Sequence, residues 1–308
     1  NIMEGFSGND TIYGGDGNDT IYGGDGNDIV YGGRGDDTLH GGSGRNTYYY
    51  FPGDGSDTVY DNGVLYGPID NVISFGSGIS PGGLKLRLGS LLIDLGNEGD
   101  SIRIPEFNPQ DARANPVIGT FEFADGTILT YDELIDRGFD LDGTTGDDVI
   151  TGTNVVDRIN AMGGNDDISS GAGDDVLTGG RGDDSLAGGE GNDTYVFNLG
   201  DGVDTITDLS LPSEGNTIII GDGITKNDLS FVRDDGFLAI NVGDNGDAIQ
   251  LLNFDQDEIN GSLVVRTLEF ADGTQMNLTD LLNRAPVVVN PIDNQTTMED
   301  SVFLFTIP

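Results

Sequence analysis

The sequence has no cysteine and no tryptophan, and a single histidine, His40. Without cysteine there are no disulfides, no thiolate nucleophile and no cysteine-ligated zinc. One histidine excludes a multi-histidine metal site and argues against a histidine-based catalytic triad. Positive charge is scarce: 13 Lys and Arg stand against 54 Asp and Glu, a net charge of −41 over 308 residues. No basic stripe exists to displace counterions from nucleic-acid phosphates, and anionic membrane surfaces are disfavoured for the same reason. No apolar run approaches the ~18 residues of a membrane-spanning helix.

What the chain does have is glycine, 51 residues, and aspartate in phase with it. Disordered acidic chains carry like charges in blocks with few apolar residues; here 35% of residues are hydrophobic and the acids alternate with glycine. Residues 5–49 read GFSGNDTIY, GGDGNDTIY, GGDGNDIVY, GGRGDDTLH and GGSGRNTYY, five units of nine without insertion. Residues 143–196 read GTTGDDVIT, GTNVVDRIN, AMGGNDDIS, SGAGDDVLT, GGRGDDSLA and GGEGNDTYV. Glycines at positions one, two and four permit positive φ and a tight turn. The last three residues form a minimal strand with one inward side chain: Ile12, Ile21, Val30, Leu39 and Tyr48, then Ile150, Ile159, Ile168, Leu177, Leu186 and Tyr195. Turn and strand repeated wind into a coil, two units per full turn.

Position six is Asp10, Asp19, Asp28, Asp37 and Asn46, then Asp148, Asp157, Asp166, Asp175, Asp184 and Asp193. Alternate units stack on one flank about 4.8 Å apart, where like charges repel by roughly 1–3 kcal/mol per pair. One aliphatic side chain per unit hardly outweighs such a ladder, so a cation is expected between the turns. Oxygen donors without nitrogen or sulfur suit a hard ion, and Ca²⁺ better than Mg²⁺.

These units resemble the G-G-x-G-x-D-x-U-x nonapeptide of the repeats-in-toxin (RTX) family. The resemblance implies an all-β fold of two calcium-binding parallel β-rolls, each followed by a β-rich capping flank, with multiple Ca²⁺ ions between turns. It implies ligation by the position-six side chains above and by turn carbonyls, which fall here at Gly14, Asp16, Gly23, Asp25, Gly32, Arg34, Gly179, Arg181, Gly188 and Glu190. Asn46 offers one neutral oxygen, and the unit at 152–160 keeps Asp157 but has Val155 at position four; both predict weaker sites.

The nonapeptides belong to a longer repeat. The GDG at 53–55 recurs at 200–202, and FADGT at 123–127 recurs at 270–274, each 147 residues on. Expected segments are a roll at 1–49, a flank at 50–138, a roll at 139–196, a flank at 197–284, and a linker with the start of a cadherin-like sandwich at 285–308. The flanks resemble haemolysin-type calcium-binding-related segments. Leu84, Leu86 and Leu88 alternate with Lys85 and Arg87, and Ile102 and Ile104 with Ser101 and Arg103, the period of half-buried strands. Thr130 and Glu133 have capping-box spacing with Gly138 at the far end, and a second short helix is expected at Thr279 to Asn283. Asp54, Asp57, Asp201 and Asp204, with Asp61 and Asp208, either complete a capping metal site or solvate a hairpin. Asp125 and Asp272 read as hairpin turns.

His40 and the tyrosines Tyr13, Tyr22 and Tyr31 share an outward position, read as one aromatic row that packs on a neighbouring segment or stacks on sugars. No G-K-[ST] phosphate loop follows the glycine-rich turns. The chain is therefore expected to be a non-enzymatic calcium-binding module of a large secreted or cell-surface bacterial protein, adhesin-like, with a cell-surface or polysaccharide partner, passing a type I exporter unfolded and folding on calcium outside. The alternative is the calcium-binding tail of a secreted protease, lipase or alginate epimerase whose catalytic domain lies elsewhere.

Overall fold

The computed structural model describes residues 1–61, 71–97, 99–208, 215–234, 236–254 and 263–283. The chain divides into two compact units, Asn1–Asp140 and Leu141–Pro308. The expected sandwich start at 285–308 lies outside the described residues.

In the first unit the strands are β1 (Ile2–Glu4), β2 (Thr11–Asp16), β3 (Thr20–Asp25), β4 (Ile29–Arg34), β5 (Thr38–Ser43), β6 (Thr47–Tyr50), β7 (Ser56–Tyr60) and β8 (Val72–Phe75). Each pairs in parallel with the strand two units on: β1 with β3, β3 with β5 and β5 with β7 on one face, β2 with β4, β4 with β6 and β6 with β8 on the other. Register stacks the inward residues in two columns, Met3–Ile21–Leu39–Val59 and Ile12–Val30–Tyr48–Ile73. The full strands in the array run six residues rather than the expected three, because positions one and two of the next unit continue the extended ladder; Gly24 pairs with Gly42 as Tyr22 pairs with His40. Ile12, first of its column, is only half-buried, whereas Ile21, Val30, Leu39 and Tyr48 are buried.

The flank extends both faces. On one, β11 (Ser101–Ile104) joins β7 in parallel and is followed by β10 (Leu91–Asp94) and β9 (Lys85–Arg87) in antiparallel pairing. On the other, β12 (Thr120–Phe123) joins β8 in parallel and turns back as β13 (Ile128–Thr130). On each face the parallel ladder of the roll so passes into antiparallel strands of the flank. The capping box forms: the Thr130 hydroxyl accepts the Glu133 N–H, and the Glu133 carboxylate accepts the Thr130 N–H, opening α1 (Tyr131–Ile135). Phe139 in β14 (Phe139–Asp142) pairs with Leu86.

The second unit repeats the plan. One face runs β15 (Val149–Thr151), β17 (Asp167–Ala172), β19 (Ser185–Glu190), β21 (Val203–Ile206), β25 (Asp247–Phe254), β24 (Gly236–Val242) and β23 (Leu229–Asp234). The other runs β16 (Asp157–Asn160), β18 (Val176–Thr178), β20 (Thr194–Phe197), β22 (Thr217–Ile220), β26 (Thr267–Phe270) and β27 (Gln275–Asn277), then α2 (Leu278–Asn283). Its inward columns are Ile150–Ile168–Leu186–Ile206 and Ile159–Leu177–Tyr195–Ile218–Leu268. Both FADGT segments are hairpin turns, in which the Asp125 and Asp272 carboxylates accept the Thr127 and Thr274 N–H groups at 2.8 Å. Among the described residues no helix is long and apolar enough to cross a membrane.

Candidate metal centre

Two-unit winding places every second position-six residue on one flank, and each is tied to the next turn by a side-chain hydrogen bond. The Asp10 N–H donates to Asp28 Oδ1 at 2.9 Å, the Asp28 N–H to Asn46 Oδ1 at 3.0 Å, and the Asn46 N–H to Asn71 Oδ1 at 2.8 Å. On the opposite flank Asp19 donates to Asp37 and Asp37 to Asp57, at 2.8 and 2.9 Å. The second roll matches: Asp148 to Asp166 to Asp184 to Asp204, and Asp157 to Asp175 to Asp193 to Asn216. Asn71 and Asn216 close the ladders from the flanks, and sequence reasoning missed them. Their shared place near the start of β8 and β22 was the available signal.

One oxygen per carboxylate serves this ladder, and the other is buried. Oδ2 of Asp10, Asp19, Asp28, Asp37, Asp166, Asp175, Asp184 and Asp193 has no hydrogen-bond partner. A buried carboxylate oxygen without a donor is costly. Position-one glycine stands beside it: a Cβ on Gly23 would meet Asp28 Oδ2 and the Gly41 carbonyl oxygen, both at 2.5 Å. On Gly32 it would meet Asp37 Oδ2 at 2.5 Å and Asp57 Oδ2 at 3.1 Å. Only glycine leaves this cradle of carboxylate and carbonyl oxygens open. Among the described residues no three acidic or imidazole side chains form one cluster; carboxylates come singly from successive turns, so carbonyls must supply the rest of any coordination shell. An all-oxygen donor set of this kind fits a hard divalent cation.

The RTX calcium-binding nonapeptide repeat matches at residues 4–39, 25–50, 142–177, 160–195 and 169–206. The arrays are RTX calcium-binding repeats. The haemolysin-type calcium-binding protein related domain matches at 91–133 and 238–280, one copy in each flank. No curated protein matches the chain. Among solved structures, the chain is similar to the extracellular lipase LipA from Serratia marcescens, with 17% identity over 81% of this chain and 37% of the lipase, at a TM-score of 0.32. It spans just over a third of that lipase. It is also similar to the AlgE6R3 subunit of the Azotobacter vinelandii mannuronan C5-epimerase, with 24% identity over 52% of this chain and 92% of the subunit, at a TM-score of 0.32.

The RTX arrays are not uniform. At Asp148 the second oxygen is engaged: Oδ2 accepts the Thr144 N–H at 2.6 Å and the Thr144 hydroxyl at 2.9 Å. At Asp157 it accepts the Thr153 N–H at 2.6 Å and hydroxyl at 3.0 Å, while Oδ1 has no partner. Asn46 turns its amide nitrogen to Asp61 at 3.1 Å, where the Tyr48 hydroxyl also donates at 2.5 Å. The equivalent Tyr195 hydroxyl donates to Asp208 at 2.5 Å. The carbonyls of Gly23 and Gly32 face the glycine two units earlier on the same flank. Those of Asp25, Arg34, Arg181 and Glu190 accept turn-to-turn N–H groups of Gly8, Gly17, Gly164 and Gly173. Among the flank carboxylates, Asp57 and Asp204 join the ladders. Asp54 and Asp201 instead cap turns, accepting the Phe51 and Asn198 N–H groups. Asp100 and Asp247, also missed from sequence, hold the two GDG turns by accepting the Gly53 and Gly200 N–H groups at 2.7 Å.

Burial, ahead of the neighbouring carboxylates, pushes Asp57 and Asp204 up to about 8. Burial likewise raises Asp157 and Asp193 to about 7, and lifts Asp37, Asp175 and Asp184 above the usual carboxylate range. The buried phenols Tyr48 and Tyr195 are pushed far above the tyrosine range, by burial first and their aspartate partners second.

The expected single aromatic row is two columns, because successive units lie on opposite faces. Tyr13, Tyr31 and Tyr49 stack on one face at 4.6 and 4.7 Å. Tyr22, His40 and Tyr60 stack on the other at 4.6 and 4.8 Å. His40 is thus a half-buried member of a stack, and burial lowers its pKa.

Proposed function

We propose that this chain is a non-catalytic, calcium-folded module of a larger secreted or cell-surface bacterial protein of adhesin-like type. One observation carries this reading: rows of buried carboxylate oxygens without a donor, repeated turn after turn in both arrays. Oδ2 of Asp10, Asp19, Asp28, Asp37, Asp184 and Asp193 would hold the ions, with position-one carbonyls such as those of Gly23, Gly32 and Gly41; Asp57 and Asp204 would close the ladders. Bound calcium supplies the positive charge that these oxygens otherwise lack. Binding to the folded state alone adds RT ln(1 + [Ca]/Kd) per site, ~2.7 kcal/mol at a hundred times Kd. Where calcium is scarce, repulsion among carboxylates favours the extended chain, a state suited to passage through an export channel; outside the cell, calcium favours the coil. We assign any polysaccharide or cell-surface partner to the larger protein rather than to the aromatic columns, whose rings largely cover one another's faces.

The test is far-UV circular dichroism with small-angle scattering, titrated with calcium and in parallel with magnesium. A cooperative gain of β-structure with compaction, specific to calcium, is expected from a metal-free chain that keeps part of its fold. A chain equally compact and β-rich in chelator overturns the folding switch.

A further inference from the structure

The two arrays differ at the positions that shape the cradle. In the first array position one is always glycine: Gly5, Gly14, Gly23, Gly32 and Gly41. Position two is Phe6 and then glycine throughout. In the second array the first four units depart, with Thr144, Thr153, the pair Ala161–Met162, and Ser170. Its last two units return to glycine at both positions, at Gly179–Gly180 and Gly188–Gly189.

Three of these substitutions place a hydroxyl on atoms that elsewhere form the cradle. Thr144 and Thr153 give Asp148 and Asp157 both an N–H and an O–H donor on Oδ2, the atom that is bare in every other position-six aspartate. The Val155 N–H returns to the Thr153 hydroxyl at 3.1 Å, so the threonine is itself held. Ser170 is fully buried and donates its hydroxyl to the Gly188 carbonyl at 2.7 Å, a position-one carbonyl of the kind that faces Asp28 and Asp19 in the first array. It also lies beside Asp175 and opposes the burial that raises that carboxyl. Ala161 puts a methyl group at position one, where a Cβ on Gly23 would stand 2.5 Å from both a carboxylate and a carbonyl oxygen.

We infer that Thr144, Thr153 and Ser170 replace calcium in the opening turns of the second array, which therefore hold their coil without metal more firmly than the first array does. The inference rests on the proposed calcium reading of the arrays. A charge-assisted hydrogen bond satisfies a carboxylate oxygen much as a cation does, but covalently supplied and always present. Calcium sites in the second roll then concentrate at its far end, around Asp184 and Asp193, and the opening turns give that roll a preformed edge on which the later turns wind.

The test is hydrogen–deuterium exchange of the full chain in chelator and in excess calcium. In chelator, amides in 147–178 should exchange about tenfold or more slowly than those in 11–45. Calcium should protect 11–45 and 184–206 and change 147–178 little. A variant carrying Thr144→Gly, Thr153→Gly and Ser170→Gly should lose the chelator-resistant protection, recover it with calcium, and bind more calcium per chain by calorimetry. Equal loss of protection in both arrays in chelator, restored in both by calcium, would overturn the inference and leave the calcium reading intact. No change in either array on adding calcium would overturn the calcium reading itself. The exchange arm on the unaltered chain decides the matter if the triple variant does not fold.

Discussion

Replacing Asp37 by Asn should change stability in opposite directions with and without calcium. Asn keeps an oxygen at Oδ1 to accept the Asp19 N–H at 2.8 Å, and its own N–H still reaches Asp57 at 2.9 Å, so the ladder survives. What changes is Oδ2, buried without a donor and facing the same glycine as Asp57 Oδ2. Two unit charges one strand spacing apart, about 4.8 Å, repel by ~3 kcal/mol at an effective dielectric of ~20 and by under ~1 kcal/mol in bulk water. In chelator the variant should therefore be more stable by about 1–3 kcal/mol. The gain should be fullest above pH 8, where Asp57 is ionised. With calcium at a hundred times Kd, losing one ion costs ~2.7 kcal/mol, and the variant should be the weaker protein. Urea denaturation of the full chain at pH 8.5, followed by circular dichroism in chelator and in calcium, reads both signs. If Asp37→Asn shifts the midpoint the same way in both conditions, the reasoning from the bare oxygen is wrong.

Four further outcomes follow from the same structure. Asp57 and Asp204 rise to about 8 and Asp157 and Asp193 to about 7 from an ordinary 3.8. Raised carboxyls stabilise the metal-free fold below the unfolded pKa and lose that contribution as pH climbs through the folded values. Melting in chelator should thus weaken between pH 5 and pH 9, and a melting temperature that climbs instead refutes it. By the same shifts, calcium uptake at pH 7 should release protons, seen as buffer-dependent heats in calorimetry. Met162 holds a left-handed φ of 76° where most units have glycine, so Met162→Gly should stabilise by up to about 1 kcal/mol, and a clear loss in thermal melts would contradict the strain. Tyr195→Phe removes a buried phenol from Asp208 and from the Gly188 N–H; a loss of about 1–3 kcal/mol is expected, with no loss at all counting against a stabilising role for these hydrogen bonds.

Much of this architecture was legible in the chain itself. A period of nine with glycine in phase leaves one inward side chain per unit, and Ile21, Val30 and Leu39 are buried as that phase requires. The capping box at Thr130 and the FADGT hairpins are local hydrogen-bond patterns within a few residues, so spacing alone reveals them. Oxygen donors and repulsion between stacked carboxylates already pointed to a hard cation. Tertiary structure decided the rest, because each deciding partner lies a full coil turn or more away. Asp28 and Asn46 meet across 18 residues and Asn46 and Asn71 across 25. Period tells which side chains face inward, but only the pitch of the coil tells which oxygen the neighbouring turn engages. The same pitch splits the aromatic row into two columns on opposite faces. It also sets the Ser170 hydroxyl against the Gly188 carbonyl, 18 residues on.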